Sequence, residues 1–84
     1  MKFTVVWRPV AEARLAEIWE QSANRRSVSD ATNQIERQLQ QRGDTVGESR
    51  TANTRVVFES PLGLLFEVHA EDQLVTVLSV WQFD

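Results

Sequence analysis

Apolar residues recur along this chain with two different periods, and the change between them divides it into an opening strand, a helical half and a strand-rich half. Lys2 to Arg8 is rich in β-branched and aromatic residues, which predicts a strand over residues 2–8. Pro9 ends it, and proline's tolerance of a first helical turn predicts that a helix starts there. Ala11, Leu15, Ile18 and Ser22 then follow helical spacing, Trp19 widens the stripe, and Glu12 suits the positive end of the helix dipole. Glu17, Glu20 and Arg14 fall mainly on the other side. The spacing predicts a first helix over residues 9–23. Asn24-Arg25-Arg26 reads as a connector. Ser27 offers an N-cap oxygen with Asp30 three residues later. Val28, Ala31, Ile35 and Leu39 make one narrow apolar stripe, and Gly43 is expected to end this second helix in the left-handed conformation. Two amphipathic helices joined by so short a connector lie antiparallel, as a hairpin. Ile18 and Trp19 are expected between the hairpin and a sheet, with Trp7 and Trp19 as core anchors.

After residue 43 the period shortens. Residues 44–54 read as a polar loop containing Gly47. Arg55 to Glu59 is a strand, Ser60-Pro61-Leu62-Gly63 a turn, and Leu64 to His69 a second strand. In that second strand Leu64, Phe66 and Val68 share one face, and Leu65, Glu67 and His69 the other. Ala70 to Gln73 is a tight polar turn. Leu74 to Trp81 is apolar on almost both faces, which predicts a central or covered strand. Turns this short make the three strands an antiparallel meander. The order is strand, helix, helix, strand, strand, strand: an α+β class with a helical hairpin packed on an antiparallel sheet. No repeat, linker or low-complexity segment is visible.

Composition narrows the function classes. The chain has 84 residues, read as one domain over 1–84, and its 42% hydrophobic and 25% charged content fits a folded domain and not a disordered one. Without cysteine there is no disulfide or thiolate metal site, and His69 alone cannot form a histidine cluster for zinc. No P-loop, dinucleotide-binding glycine motif, EF-hand loop or Ser/His/Asp set is present, so no cofactor and no metal are expected. No apolar run approaches the roughly 20 residues of a membrane-spanning helix. The first residues lack a signal-peptide core, so the expectation is a mature cytoplasmic chain without membrane contact. The net charge of −3 is unevenly spread. Residues 1–55 hold all nine basic residues against seven acidic ones, whereas residues 56–84 hold no Lys or Arg and five carboxylates. Nucleic-acid surfaces are basic because neutralising phosphates releases counterions, so the C-terminal third argues against extensive nucleic-acid contact there.

The ordered set of elements, together with Trp7-Arg8-Pro9, the Ala-rich run Ala11 to Ala16 leading to Ile18-Trp19, Gly47, Arg50 and Arg55 before a strand, the hydrophobic Leu64 to Val68 and the Val-rich Val77 to Trp81, resembles the RelE/ParE toxins of type II toxin–antitoxin systems. The match runs over nearly the whole chain. It implies the toxin component of such a pair, with a cognate antitoxin as partner. The first expectation is the RelE type, which implies ribosome-associated cleavage of messenger RNA without metal. A ribose hydroxyl is deprotonated there, the phosphorane charge stabilised and the leaving oxygen protonated. For the ParE type it implies inhibition of DNA gyrase by protein contact. A third possibility is a non-toxic module that keeps only antitoxin binding. The last strand carries no basic residue, and Trp81 and Phe83 stand where some relatives place His or Tyr.

Within the resemblance, Arg50 and Arg55 would stabilise phosphate charge, and Glu48 or His69 would transfer protons. Each has a plainer reading. Arg55 is otherwise a surface arginine paired with Glu59 or Glu67, and Arg50 and Glu48 are solvated loop charges. His69 is otherwise an exposed histidine beside a turn. Arg25 and Arg26 are candidates for contact with RNA phosphates or acidic antitoxin side chains, or are simply solvated. Trp81 is a candidate to stack on a base, or else packs in the core or an interface.

Overall fold

The computed structural model describes residues 2–83; Met1 and Asp84, the ends of the domain read over 1–84, lie outside the described residues. The elements are β1 (Thr4–Trp7), α1 (Pro9–Gln21), α2 (Arg25–Arg42), β2 (Glu48–Ser49), β3 (Thr54–Glu59), β4 (Leu62–His69), a 3-10 turn (Ala70–Asp72) and β5 (Leu74–Gln82). The five strands form one sheet in the order β1-β5-β4-β3-β2. β5 is an interior strand, as its two apolar faces predicted. β3, β4 and β5 form the expected antiparallel meander. β1 runs parallel to β5, with Thr4 opposite Leu74 and Trp7 opposite Val77, so the sheet is mixed and not wholly antiparallel. This pairing joins residues 70 positions apart, which no local pattern reveals. The polar composition of the 44–54 loop also concealed β2, which pairs antiparallel with β3 at the sheet's other edge.

Both helices cover one face of the sheet. The core takes Ala11 and Ile18 from α1, and all four stripe residues of α2, Val28, Ala31, Ile35 and Leu39. Opposite them lie Val57 of β3, Leu62, Leu64 and Phe66 of β4, and Val75, Val77 and Val80 of β5. The alternation in β4 is as read, although the strand begins at Leu62 and not Leu64. An irregularity in the β4–β5 register after Leu65 brings Phe66 opposite Val77, which keeps the apolar side chains of β5 on the core side.

Several local expectations are corrected. The second helix is capped by Asn24, whose side-chain oxygen accepts the Ser27 backbone N–H at 3.1 Å, and not by Ser27. Arg25 and Arg26 therefore form its first turn, not a connector; of two candidate caps three positions apart, the one whose oxygen meets a free N–H three residues on wins. Gly43 stays right-handed (φ −55°). Its missing side chain serves close packing, since a Cβ would lie 2.6 Å from Val75 Cγ2 and 2.9 Å from the Leu39 carbonyl oxygen. The left-handed glycine is Gly47, at φ 73°. Trp19 is not buried against the sheet but 41% exposed. One residue past Ile18 is a turn of about 100° around the helix, which swings Trp19 off the sheet-facing stripe and toward α2. There its indole N–H donates to Ser29 Oγ at 3.1 Å and the Arg25 guanidinium stacks 4.7 Å from the ring centroid. Trp7 is half-buried against the core, its indole N–H donating to Glu36 Oε2 at 3.2 Å.

These placements reorder the expected costs of truncation. Phe66→Ala removes a fully buried ring and should lower stability by about 3–5 kcal/mol, whereas Trp19→Ala should cost well under half as much. Urea midpoints of the two variants check this; an equal or larger loss at Trp19 would place that side chain in the core after all.

Candidate functional site

Where the helices stop short of the sheet, the start of β3, the end of β4, the 44–53 segment and the 3-10 turn enclose a polar cleft of about 430 Å3. Arg55 and His69 both line it, with Ser49, Asn53, Asp44, Glu71 and Asp72. Arg55 lies two residues before the core residue Val57, and hence on the helix side of β3. It does not pair with Glu59 or Glu67. Its Nε donates to the Val46 carbonyl at 2.8 Å and its Nη2 to the Gly47 carbonyl at 2.9 Å. The left-handed turn at Gly47 leaves these carbonyls to be met by a side chain, and the planar guanidinium meets both at once. Val46 itself is buried beneath the segment, an apolar anchor inside a stretch that reads as polar.

His69 closes β4, with Nε2 2.9 Å from Glu67 Oε1 two residues back on the same face. Glu48 stands opposite Val56 on β2, on the sheet face away from Arg55, and Arg50 follows β2 with its backbone N–H bonded to the Thr54 carbonyl at 2.9 Å. Both are exposed and neither lines the cleft. Arg25 sits at the hairpin turn, where Nε and Nη2 donate to the last carbonyls of α1, those of Trp19 and Glu20, at 3.3 and 3.0 Å. Arg26 is exposed, with Asp30 at 4.0 Å. Trp81 lies on the helix-free face of the sheet. The candidate residues therefore occupy four separate places, and of the four named for catalysis only Arg55 and His69 share the cleft. Arg55 is the one Lys or Arg lining the cleft, against three carboxylates. That field repels a phosphate. Among the described residues no three His, Asp or Glu side chains are placed to hold a metal ion, and no helix is long and apolar enough to cross a membrane.

Two surfaces escaped the sequence reading. One is a groove of about 520 Å3 between α1 and α2, floored by Leu15, Ala16, Trp19, Val28 and Thr32 and rimmed by Glu12 and Glu20. Its signal was present, because Trp19 widens the α1 stripe beyond what the sheet covers. The other is a cluster of three rings: Phe58 lies edge-on to Trp81, with centroids 6.1 Å apart, and to Phe83, at 5.4 Å. The cluster depends on Gly63, which sits between Phe58 and Trp81 in the register; a Cβ there would meet the Trp81 ring at 2.6 Å.

No protein-family model matches the chain, and no curated protein matches it in sequence. Solved structures do match it. The RelBE2 toxin–antitoxin complex of Mycobacterium tuberculosis contains a chain that superposes with a TM-score of 0.77 at 19% identity, covering 98% of this chain and 99% of that one. A chain of the chromosomal ParDE toxin–antitoxin system of P. aeruginosa gives 0.75 at 17% identity, covering 99% and 98%. A mutant of the E. coli toxin RelE in the free state gives 0.65 at 13% identity, covering 98% and 84%. The chain has the RelE/ParE toxin fold, as its sequence resemblance implied.

The bonds of Arg55 to two carbonyls generate a stability prediction independent of any activity. Arg55→Ala should cost about 1.5–3 kcal/mol, the range for hydrogen bonds from a charged group, and should accelerate amide exchange in residues 44–53. Exchange rates in that segment that match wild type would show that the guanidinium does not hold it.

Proposed function

We propose that this chain is the toxin of a type II toxin–antitoxin pair, cytoplasmic, and that it acts by contact with a protein target, as a ParE-type gyrase inhibitor does. The first half rests on the fold, shared end to end with chains from two toxin–antitoxin systems. The second half rests on one observation. The guanidinium in the polar cleft is engaged by the Val46 and Gly47 carbonyls, and three carboxylates share the lining with it. A phosphorane needs uncommitted donors aimed at its developing charge. A protein partner needs none. The α1–α2 groove is the surface best suited to the antitoxin, because an amphipathic segment laid along it would bury Leu15, Ala16 and Trp19.

A second reading has its own observation: Arg55 and His69 line one cleft. In a RelE-type messenger-RNA nuclease working on the ribosome, Arg55 would stabilise the phosphorane and His69 would move the proton, whereas Arg50 and Glu48 lie outside the cleft.

Induction of the chain with and without its neighbouring antitoxin gene separates these readings. The expected outcome is growth arrest relieved by the antitoxin, loss of DNA supercoiling, and messages intact by primer extension. Message cleavage that falls 100- to 1,000-fold in Arg55→Ala, about the cost of one lost transition-state donor, would replace the first reading with the second. Ala16→Arg, on the exposed side of α1, should abolish co-purification of the antitoxin while arrest persists; retained co-purification would move the antitoxin off the groove.

A further inference from the structure

The helix-free face of the sheet combines exposed aromatic rings with carboxylates, and among the described residues its strands carry no Lys or Arg there, the nearest being Arg8 and Arg50 just past the ends of β1 and β2. Phe58 is 52% exposed, although it lies within a strand of the sheet and not at a loop tip. Trp81 rests on Gly63, half-buried, and its indole N–H has no acceptor among the described residues. Register places Leu65 and Glu67 of β4 on the same face, with Glu48 across from Val56 at its edge. Among the described strand residues the one Lys or Arg is Arg55, and it points to the other face.

Charge and shape together select the occupant. Contiguous exposed aromatic surface marks an interaction site more often than an accident of packing. Aromatic rings alone would also suit single-stranded nucleic acid, but such sites pair the rings with a cationic groove that follows the phosphates. Here the charges carried by the strands themselves, Glu67 and Glu48, are carboxylates, which would oppose the phosphates. A second copy of the chain set face to face would bring those carboxylates against their own kind. A polypeptide segment bearing Lys or Arg beside apolar side chains meets every feature. Its apolar residues cover Phe58 and Trp81, its cations reach the faces of the rings and Glu67, whose Oε1 already holds His69 Nε2, and one of its carbonyls accepts the Trp81 N–H. Glu67 lies four residues along β4 from Gly63, about 13 Å at the rise of a strand, so a few residues of such a segment span both anchors.

We infer that this open sheet face, centred on Phe58, Trp81 and Glu67, binds a cationic amphipathic segment of another protein, and that it is the surface by which the chain engages its target. The inference rests on the protein-contact reading above for the identity of the partner as target, but the binding chemistry stands by itself.

The test follows the three tryptophan indole N–H signals of the full-length chain by NMR at physiological salt. The chain is titrated with a synthetic lysine–leucine amphipathic peptide, its glutamate–leucine twin, and a single-stranded RNA oligomer. The lysine peptide should shift the Trp81 signal while Trp7 stays fixed, and the glutamate peptide and the RNA should leave Trp81 unmoved. Phe58→Ser and Glu67→Lys, both at exposed or half-exposed positions, should each weaken the lysine peptide by about tenfold, as loss of an interface anchor does, with circular dichroism confirming an unchanged fold. An unmoved Trp81, a Trp81 shift by RNA in place of the peptide, or affinity indifferent to Phe58→Ser overturns the proposal. Its failure beside intact growth arrest and supercoiling loss removes only this surface. Message cleavage beside a positive titration removes the protein-target reading and leaves the binding face.

Discussion

The constraint from which the rest of this structure follows is that two helices can cover only one face of a five-stranded sheet. Every fully buried large side chain belongs to that single interface between the helix layer and the sheet, from Ile35 and Leu39 to Leu64, Phe66 and Val77. Dense packing on one side fixes the register of β3, β4 and β5, because a slip by one residue would turn Phe66 and Leu64 outward. The other side of the sheet buries little, chiefly Val56 and the ring of Trp81 over Gly63. Its residues are released to carry surface chemistry, and rings and carboxylates stand there with no cation among the strands.

The same constraint explains how the polar cleft forms. At the end of the core-side row of β3, two residues before Val57 and opposite Phe66, stands Arg55. Its guanidinium closes the turn at Gly47 by meeting two carbonyls. The cleft is therefore first a solution to a backbone problem at the edge of the core. His69, Asp44, Glu71 and Asp72 gather around it because strand β4 and the segment after α2 both end there.

What the sequence made legible was whatever depends on a repeating pattern. The α2 stripe of Val28, Ala31, Ile35 and Leu39, the alternation of Leu64 and Phe66 in β4, and the interior place of β5 all follow from periodicity. What it concealed depends on single positions or on partners far apart in the chain. Asn24 and Ser27 are both good caps, and only the three-dimensional path selects one. Gly43 and Gly47 are alike on paper, yet one is needed for closeness to Val75 and the other for its positive φ. Trp19 differs from Ile18 by one step around a helix. For the candidate site, the pattern named Arg55 and His69 without showing that they share a cleft. It gave no sign that Glu48 faces the other way, because β2 has two residues and no period at all.

The parallel pairing of β1 with β5 has a consequence for how the molecule is made. Residues 4–7 leave the ribosome well before their strand partners, residues 74–77. While the exit tunnel still encloses β5, the first strand has no neighbour, and the helices lack the Val75, Val77 and Val80 side chains they pack upon. The sheet therefore closes only once residues 74–77 have left the tunnel. During translation its two helices are already outside, amphipathic and uncovered, which leaves an interval in which a partner made nearby can meet the hairpin before the sheet does.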